Sequence, residues 1–200
     1  MTNQELNALK AGAFFQATNP TFGTGIVSHL VTSYDATKPL LVIRNISAPA
    51  AGLKGPDVIP HYIRLICTAT GSASTSSHIA LVLDTIDRYT SGGTALTLAC
   101  THSAMDPLTD PPQTAQIASL RFGVVTAPAA SANVRQLGRA VVKVAAAPCW
   151  TVGDEIIINL GPVAVAGRNT THSLLLYMWN PGNTTTAPSF EVEVGGWMQM

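Results

Sequence analysis

The amino-acid sequence predicts an all-β protein: a jelly-roll-like sandwich of two β-sheets, preceded by an extended N-terminal arm that carries a short helix. Short apolar or alternating segments recur along the chain, separated by turns rich in Gly and Pro. No helical periodicity lies between them, so the βαβ crossovers of a parallel sheet are not expected. The 200 residues suit one sandwich of about eight to ten strands. An immunoglobulin-like sandwich is the alternative, disfavoured because the Cys…Trp…Cys spacing is missing.

The clearest strand is the continuous apolar run from Leu174 to Trp179. It is too short to span a membrane, and with no polar position it must be covered on both faces, as a central strand is. Asn180–Asn183 follows as a turn, because Pro181 presets its backbone angle and Gly182 supplies a positive φ. Ser189–Val194 then alternates apolar and acidic residues, which predicts a half-buried strand.

The N-terminal 38 residues are predicted to form an arm, and residues 39–200 the sandwich. Thr2–Lys10 favours a short helix capped by Asn3. From Ala11 to Lys38 no period is sustained, yet large apolar side chains are frequent, so this segment is expected to lie extended against its own sandwich or a neighbour. The predicted assembly-interface residues are Phe14, Phe15, Phe22, Ile26 and Leu30.

Further strands are predicted along the rest of the chain. Thr90–Thr94 contains paired glycines and is predicted to be a hairpin turn, with Ala95–Cys100 as the return strand. The proline-rich residues His102–Thr114 are expected to form a long loop. Arg and Lys on a partly apolar face place the strand Val134–Ala145 at a sheet edge or a subunit contact. The remaining predicted strands are Leu40–Ile43, Tyr62–Cys67, Ser77–Ile86, Leu120–Val124 and Ile156–Leu160.

Charge is unusually scarce in this chain. Asp, Glu, Lys and Arg make up 11% of the residues and the formal net charge is zero. We therefore expect other subunits to cover much of the surface. Without a basic cluster, binding to nucleic acid or to an acidic membrane is not expected. The N-terminus has no signal-peptide pattern, which predicts synthesis in a cytoplasm.

The three cysteines, Cys67, Cys100 and Cys149, lack metal-binding spacing and lie among apolar residues. Their odd number and the cytoplasmic context favour reduced thiols in the core. A single Cys67–Cys100 disulfide is the alternative.

No catalytic, metal-binding or cofactor-binding residues are predicted. The five histidines are scattered and form no His-x-His pair, so a metal in the barrel is not expected. Asp84 and Asp87 resemble an acid/base pair, but three-residue spacing on a strand points them to opposite faces. Asp106 and Asp110 lack the dense pattern of a calcium loop. No nucleophile elbow is present.

Four aromatic residues suggest a carbohydrate platform: Trp150, Tyr177, Trp179 and Trp197. Core packing is the preferred interpretation, because Trp179 ends a buried run and Trp197 closes the last strand.

Three segments together resemble virion structural proteins of tailed bacteriophages, of the jelly-roll capsid decoration or cement type. They are Asp87–Thr94 (DRYTSGGT), Val152–Glu155 (VGDE) and Trp179–Trp197. The resemblance covers roughly the last two thirds of the chain and is one of fold-level motifs. It implies a homotrimer on the capsid surface of the virion, bound to the major capsid protein or other virion proteins.

The leading hypothesis is therefore a non-enzymatic protein that clamps and stabilises a phage head shell. Removal of residues 1–38 is expected to leave the sandwich folded and to abolish attachment. A receptor- or glycan-binding module of a phage spike or tail is the first alternative. A cupin-type enzyme is the second, and it would require a bound metal.

Overall fold

A computed structural model describes residues 14–46, 57–72, 74–100, 118–161, 165, 172–183 and 185–199. Within this part of the chain all regular structure is β-strand. The strands are β1 (Phe14–Thr18), β2 (Ile26–Val27), β3 (Leu41–Asn45), β4 (Asp57–Ala69), β5 (Ser76–Asp84), β6 (Ser91–Ala95), β7 (Thr97–Cys100), β8 (Ala118–Thr126), β9 (Arg135–Val144), β10 (Glu155–Asn159), β11 (Ser173–Trp179) and β12 (Ser189–Gln199).

The strands form two sheets in which every pair is antiparallel. Sheet A has the order β10-β4-β12-β1-β7, with β2 paired to the start of β12. Sheet B has the order β6-β8-β3-β11-β5-β9.

The pairing is that of a jelly roll, which is a long hairpin rolled up so that its two legs alternate between two sheets. Apart from β2 and the insertion β6–β8, the first strand pairs with the last (β1 with β12) and the second with the second-last (β3 with β11). The third and sixth (β4 with β10) and the fourth and fifth (β5 with β9) complete the series. The predicted fold class is therefore confirmed. The insertion adds β7 beside β1, and β8 and β6 beside β3.

The main core lies between the two sheets. Phe15 and Phe190 from sheet A and Phe122 from sheet B are fully buried there. Trp150, from the segment before β10, packs edge-on against Phe190 with ring centroids 4.9 Å apart. Burial of such large side chains stabilises the folded state by roughly 1.5–3 kcal/mol each.

Most predicted strands occur within a few residues of their predicted bounds, although β4 and β12 are longer than expected. Both faces of β11 are covered, since all seven of its residues are buried. The turn after it is confirmed, because the Asn183 amide donates to the Asn180 carbonyl at 3.1 Å and Gly182 has a φ of 81°.

The predicted hairpin at Thr90–Thr94 is wrong. Ser91–Ala95 is itself a strand, β6, and β7 crosses to sheet A instead of returning beside β5. Gly92 and Gly93 have φ values of 77° and 67° and lie at a register shift between β6 and β8. A pair of glycines with positive φ serves a bulge as well as a turn, which is why the sequence pattern was misread.

The predicted N-terminal arm is partly built into the sandwich. Phe14–Thr18 forms β1, an interior strand hydrogen-bonded to β12 on one side and to β7 on the other. For these residues the description as an arm is corrected. The predicted helix Thr2–Lys10 lies outside the described residues, and the domain boundary at residue 38 stays a prediction.

The Cys67–Cys100 disulfide is excluded by the strand order. Cys67 is in β4 and Cys100 is in β7, with β12 and β1 between them. Three inter-strand spacings amount to about 14 Å, twice the Cα separation that a disulfide spans. Cys67 and Cys149 are buried free thiols, and burial raises the pKa of Cys67 to about 11.

Candidate interaction surface

The outer face of sheet A is polar. Arg64 of β4 lies between two carboxylates: its Nε donates to Glu155 Oε1 at 2.8 Å, and its Nη1 is 3.5 Å from Glu193 Oε2. The Tyr62 hydroxyl also donates to Glu193. These side chains cross β10, β4 and β12 and remain partly exposed, so this face is compatible with water.

The outer face of sheet B is apolar. Alternation along β11 turns Leu175, Tyr177 and Trp179 away from the main core, and all three are buried. They form a second hydrophobic cluster with residues of the neighbouring strands and of the chain before β3: Val31, Val42, Ala80, Val82, Val125 and Ala127.

Residues 28–40, here called the strap, cover part of this apolar face. The Tyr34 ring contacts Tyr177 and Trp179 edge-on, at centroid distances of 5.0 and 5.9 Å. The Val31 carbonyl accepts from the Asn180 amide at 2.9 Å. His29 Nε2 lies 2.6 Å from the Val125 carbonyl and donates to it. The strap thus buries a surface that a single sheet would leave in water.

A buried ion pair fastens the strap. Arg88 and Asp84 are both fully buried, with Arg88 Nη1 3.0 Å from Asp84 Oδ2. Arg88 Nη2 donates to the Ala36 carbonyl of the strap at 2.7 Å, and the Tyr177 hydroxyl donates to the same carbonyl at 3.0 Å. Burial on its own raises the pKa of Asp84, but hydrogen bonds from Ser131 and Arg88 outweigh it and hold that pKa below its ordinary value.

Asp87 lies beyond the end of β5 and belongs to a different cluster. It pairs with Arg44 through two hydrogen bonds, one of them at 2.8 Å. The Arg44 and Arg121 guanidinium carbons lie 4.9 and 5.5 Å from the centre of the Tyr89 ring. Asp84 and Asp87 therefore each neutralise an arginine and do not form an acid/base pair.

A groove of about 200 Å³ remains on this face between the strap and β9. Ala80, Val82 and Trp179 form its nearly buried floor. Its walls are Tyr34, Val134, Gln136 and Arg139. The guanidinium carbon of Arg139 lies 5.1 Å from the Trp179 ring centre, in the range of a cation–π contact.

Strand β9 itself is exposed, and its position confirms the predicted sheet edge. Among the described strands it pairs with β5 alone. Three of its apolar side chains are open to solvent, with exposed fractions of 39% for Leu137, 53% for Val141 and 74% for Val144, and Val134 just before the strand is 39% exposed. Two register shifts interrupt its pairing with β5. We call Val134–Val144 together with the groove the β9 flank.

The predicted interface residues do not lie together. Phe15 is in the main core, so its side chain is not available to a partner, and Phe14 is partly buried beside it in β1. Ile26 packs against the core. Phe22 and Leu30 are exposed, at 83% and 46%. The mixed Lys/Arg and apolar pattern of Val134–Ala145 predicted an edge or a subunit contact at the β9 flank. The sequence of the strap has no sustained period, so its packing on the second hydrophobic cluster was not predicted.

The aromatic side chains are mostly packed, in agreement with the preferred interpretation. Trp150 and Tyr177 are 1% exposed and Trp179 is 4% exposed. The His78 ring stacks on Trp179 at 5.4 Å, and Trp197 lies 5.4 Å from His61 at a tilt of 40°. Stacking of a sugar on the Trp179 ring would have to displace His78 or Arg139.

In the part of the chain that the structure describes, no three His, Cys, Asp or Glu side chains cluster as metal ligands would. Asp106 and Asp110 lie outside that part. None of the described segments is a helix of sufficient length and hydrophobicity to cross a membrane.

Comparison with solved structures gives two matches, both of polyomavirus VP1 proteins. No protein-family model matches the chain, and no curated protein matches it. VP1 of KI polyomavirus, in an unassembled pentamer, is 10% identical, with 94% of this chain and 93% of that chain covered and a TM-score of 0.30. VP1 of Trichodysplasia spinulosa-associated polyomavirus, in complex with sialylated glycooligomers, is 9% identical, with coverages of 92% and 91% and a TM-score of 0.28. The jelly-roll assignment rests on the strand pairing of this chain itself.

Proposed function

We propose that this chain is a non-enzymatic structural protein of a virus particle and, more specifically, a bacteriophage capsid decoration protein that associates as a homotrimer and stabilises the head shell. The observation that carries the proposal is the β9 flank: an exposed apolar edge of a jelly-roll sandwich in a chain with few charges. Such a surface is stabilised when another protein of the particle covers it. The resemblance of Asp87–Thr94 and Trp179–Trp197 to decoration proteins agrees with this role.

Self-association is tested by sedimentation velocity of the purified full chain at micromolar concentration. We expect one species at about three times the chain mass of 20.9 kDa, because a chain with 11% charged residues is expected to have much of its surface covered by copies of itself. A monodisperse monomer would contradict the homotrimer.

Attachment is tested separately: antibodies against the chain should label the head surface of intact particles in electron micrographs. Label confined to tails would contradict a capsid role.

Glycan binding by a spike or tail module is the second candidate function. The groove favours it, because Tyr34, Gln136 and Arg139 combine an aromatic ring, an amide and a cation around one concave site. Specific signals on a glycan array, lost in Arg139→Ala, together with the absence of head labelling, would establish this function in place of the first.

A further inference from the structure

The β9 flank carries two arginines, Arg135 and Arg139, whose charges are not balanced by a nearby described carboxylate. Each described carboxylate already has an interaction partner within the chain. These carboxylates are Asp35, Asp57, Asp84, Asp87, Asp154, Glu155, Glu191 and Glu193. Arg135 and Arg139 of β9, in contrast, form no ion pair with any carboxylate of the described residues.

Arg139 is held where it can receive an anion. Its guanidinium lies over Trp179 at the wall of the groove, and none of the groove residues is acidic. A guanidinium over an aromatic ring retains its outward N–H donors, which match a carboxylate. Val141 and Val144 extend an apolar surface along the same strand.

The backbone edge of β9 is poorly suited to a continuous β-ladder with a partner. Its two register shifts against β5 and its cationic side chains are the features by which exposed edges avoid such pairing. Recognition at this flank therefore depends on side chains, with apolar contacts beside charged ones.

We propose that the β9 flank binds an acidic segment of a different protein, with Arg135 and Arg139 pairing with its carboxylates and the groove receiving one of its apolar side chains. A second copy of this chain fits less well, because its described carboxylates are already paired. The proposal rests on the proposed function for the source of the segment, which is a protein of the particle.

Peptide titration of the full-length, isotope-labelled chain by NMR tests this chemistry. The probe is a short acetylated peptide that alternates glutamate and valine, with a lysine–valine peptide of equal length and sialyllactose as comparisons. We expect the acidic peptide to shift the amide signals of β9 and the indole signal of Trp179, with binding that weakens as salt is added. The lysine–valine peptide should leave them unchanged.

Variants locate the contact. The double variant Arg135→Gln/Arg139→Gln should bind the acidic peptide about tenfold more weakly than the unaltered chain does. Arg64→Gln, on the opposite sheet, should not change the affinity. Arg139→Glu should instead bind the lysine–valine peptide. Equal binding of the acidic peptide to all variants would overturn the proposal. Binding of sialyllactose in preference to the acidic peptide would overturn it as well and support the glycan function.

Failure of this inference is distinguishable from failure of the proposed function. If the double arginine variant attaches to particles as well as the unaltered chain does, the surface is wrong and the structural role stands. If neither chain attaches to particles, the structural role is wrong, whatever the peptide titration shows.

Discussion

The outer faces of the two sheets differ in how they meet solvent: one is polar and exposed, and the other is apolar and covered. Sheet A presents a row of ion pairs around Arg64, which water solvates. Sheet B presents Leu175, Tyr177 and Trp179, and residues 28–40 cover them. The polar face needs no further chain, whereas the apolar face needs a strap and a buried ion pair to hold that strap. Equivalent substitutions on the two faces should therefore have very different effects.

The largest effect is expected from removal of residues 1–38. This deletion removes β1 from the interior of sheet A and most of the strap from sheet B. We expect the cooperative unfolding transition to disappear, in contrast to the sequence-based expectation that the sandwich stays folded. Circular dichroism during thermal unfolding measures it. A control that lacks residues 1–13 keeps every described strand and should unfold cooperatively, and a folded protein after the longer deletion would show that β1 and the strap are dispensable.

Removal of one ion pair from each sheet compares how much the two faces contribute to stability. Asp84→Asn leaves the buried charge of Arg88 without an opposite charge, so we expect the free energy of unfolding to fall by about 3–5 kcal/mol. Arg64→Gln removes an exposed pair on sheet A and should change stability little. Urea denaturation of both variants provides the measurement. Similar losses in the two variants would mean that the Asp84–Arg88 pair does not anchor the strap.

Truncation of one apolar side chain on each outer face compares their contributions to the free energy of unfolding. Leu175→Ala removes a fully buried side chain under the strap, and we expect a loss of about 3 kcal/mol. Ile157, on the outer face of sheet A, is 53% exposed, and Ile157→Ala should change the free energy of unfolding by no more than about 0.5 kcal/mol. Urea denaturation again decides. A small loss for Leu175→Ala would indicate that the strap does not exclude water from the second cluster.

The smallest effect is a pH dependence confined to sheet B. Burial lowers the pKa of His29 from 6.5 in the folded state, so the unfolded chain binds more protons as the pH falls below 6.5. Stability is therefore full above pH 6.5 and declines below it, down to the folded-state pKa of His29. On the sheet A side, hydrogen bonds from Lys143 and Thr151 lower the pKa of Asp154 to about 2, so its contribution persists until the solution is strongly acidic.

Chemical denaturation at pH 7.5 and pH 5 measures this dependence. His29→Gln keeps a side-chain donor for the Val125 carbonyl and should abolish the decline between these two values. A decline that is unchanged in His29→Gln would assign it to another group.

Three segments show which features of the fold the sequence pattern predicted correctly and which it did not. The unbroken apolar run Leu174–Trp179 required cover on both faces, and the structure provides it with sheet A on one side and the strap on the other. The alternating cationic pattern of Val134–Ala145 placed that strand at an edge, where β9 lies. The glycines at Gly92 and Gly93 were misread, because a bulge and a turn require the same positive φ.

The candidate site was harder to predict than the fold. Phe15 and Phe22 are both aromatic residues of the N-terminal segment, yet one is in the core and the other is exposed. Arg88 and Arg64 are both single arginines near carboxylates, and the first is buried while the second is open to solvent. Residue type does not distinguish these environments, because each depends on strands that are distant in sequence.

The sequence by itself determined that the chain is a two-layered β-protein with an apolar central strand, since periodicity and turn chemistry act over a few neighbouring residues. The tertiary structure alone decided that β1 is an interior strand, that residues 28–40 cover one sheet, and that the described carboxylates have partners while Arg135 and Arg139 form no ion pair with any of them. These features arise from contacts between segments far apart in the chain, and their energies depend on which surfaces meet when the jelly roll closes.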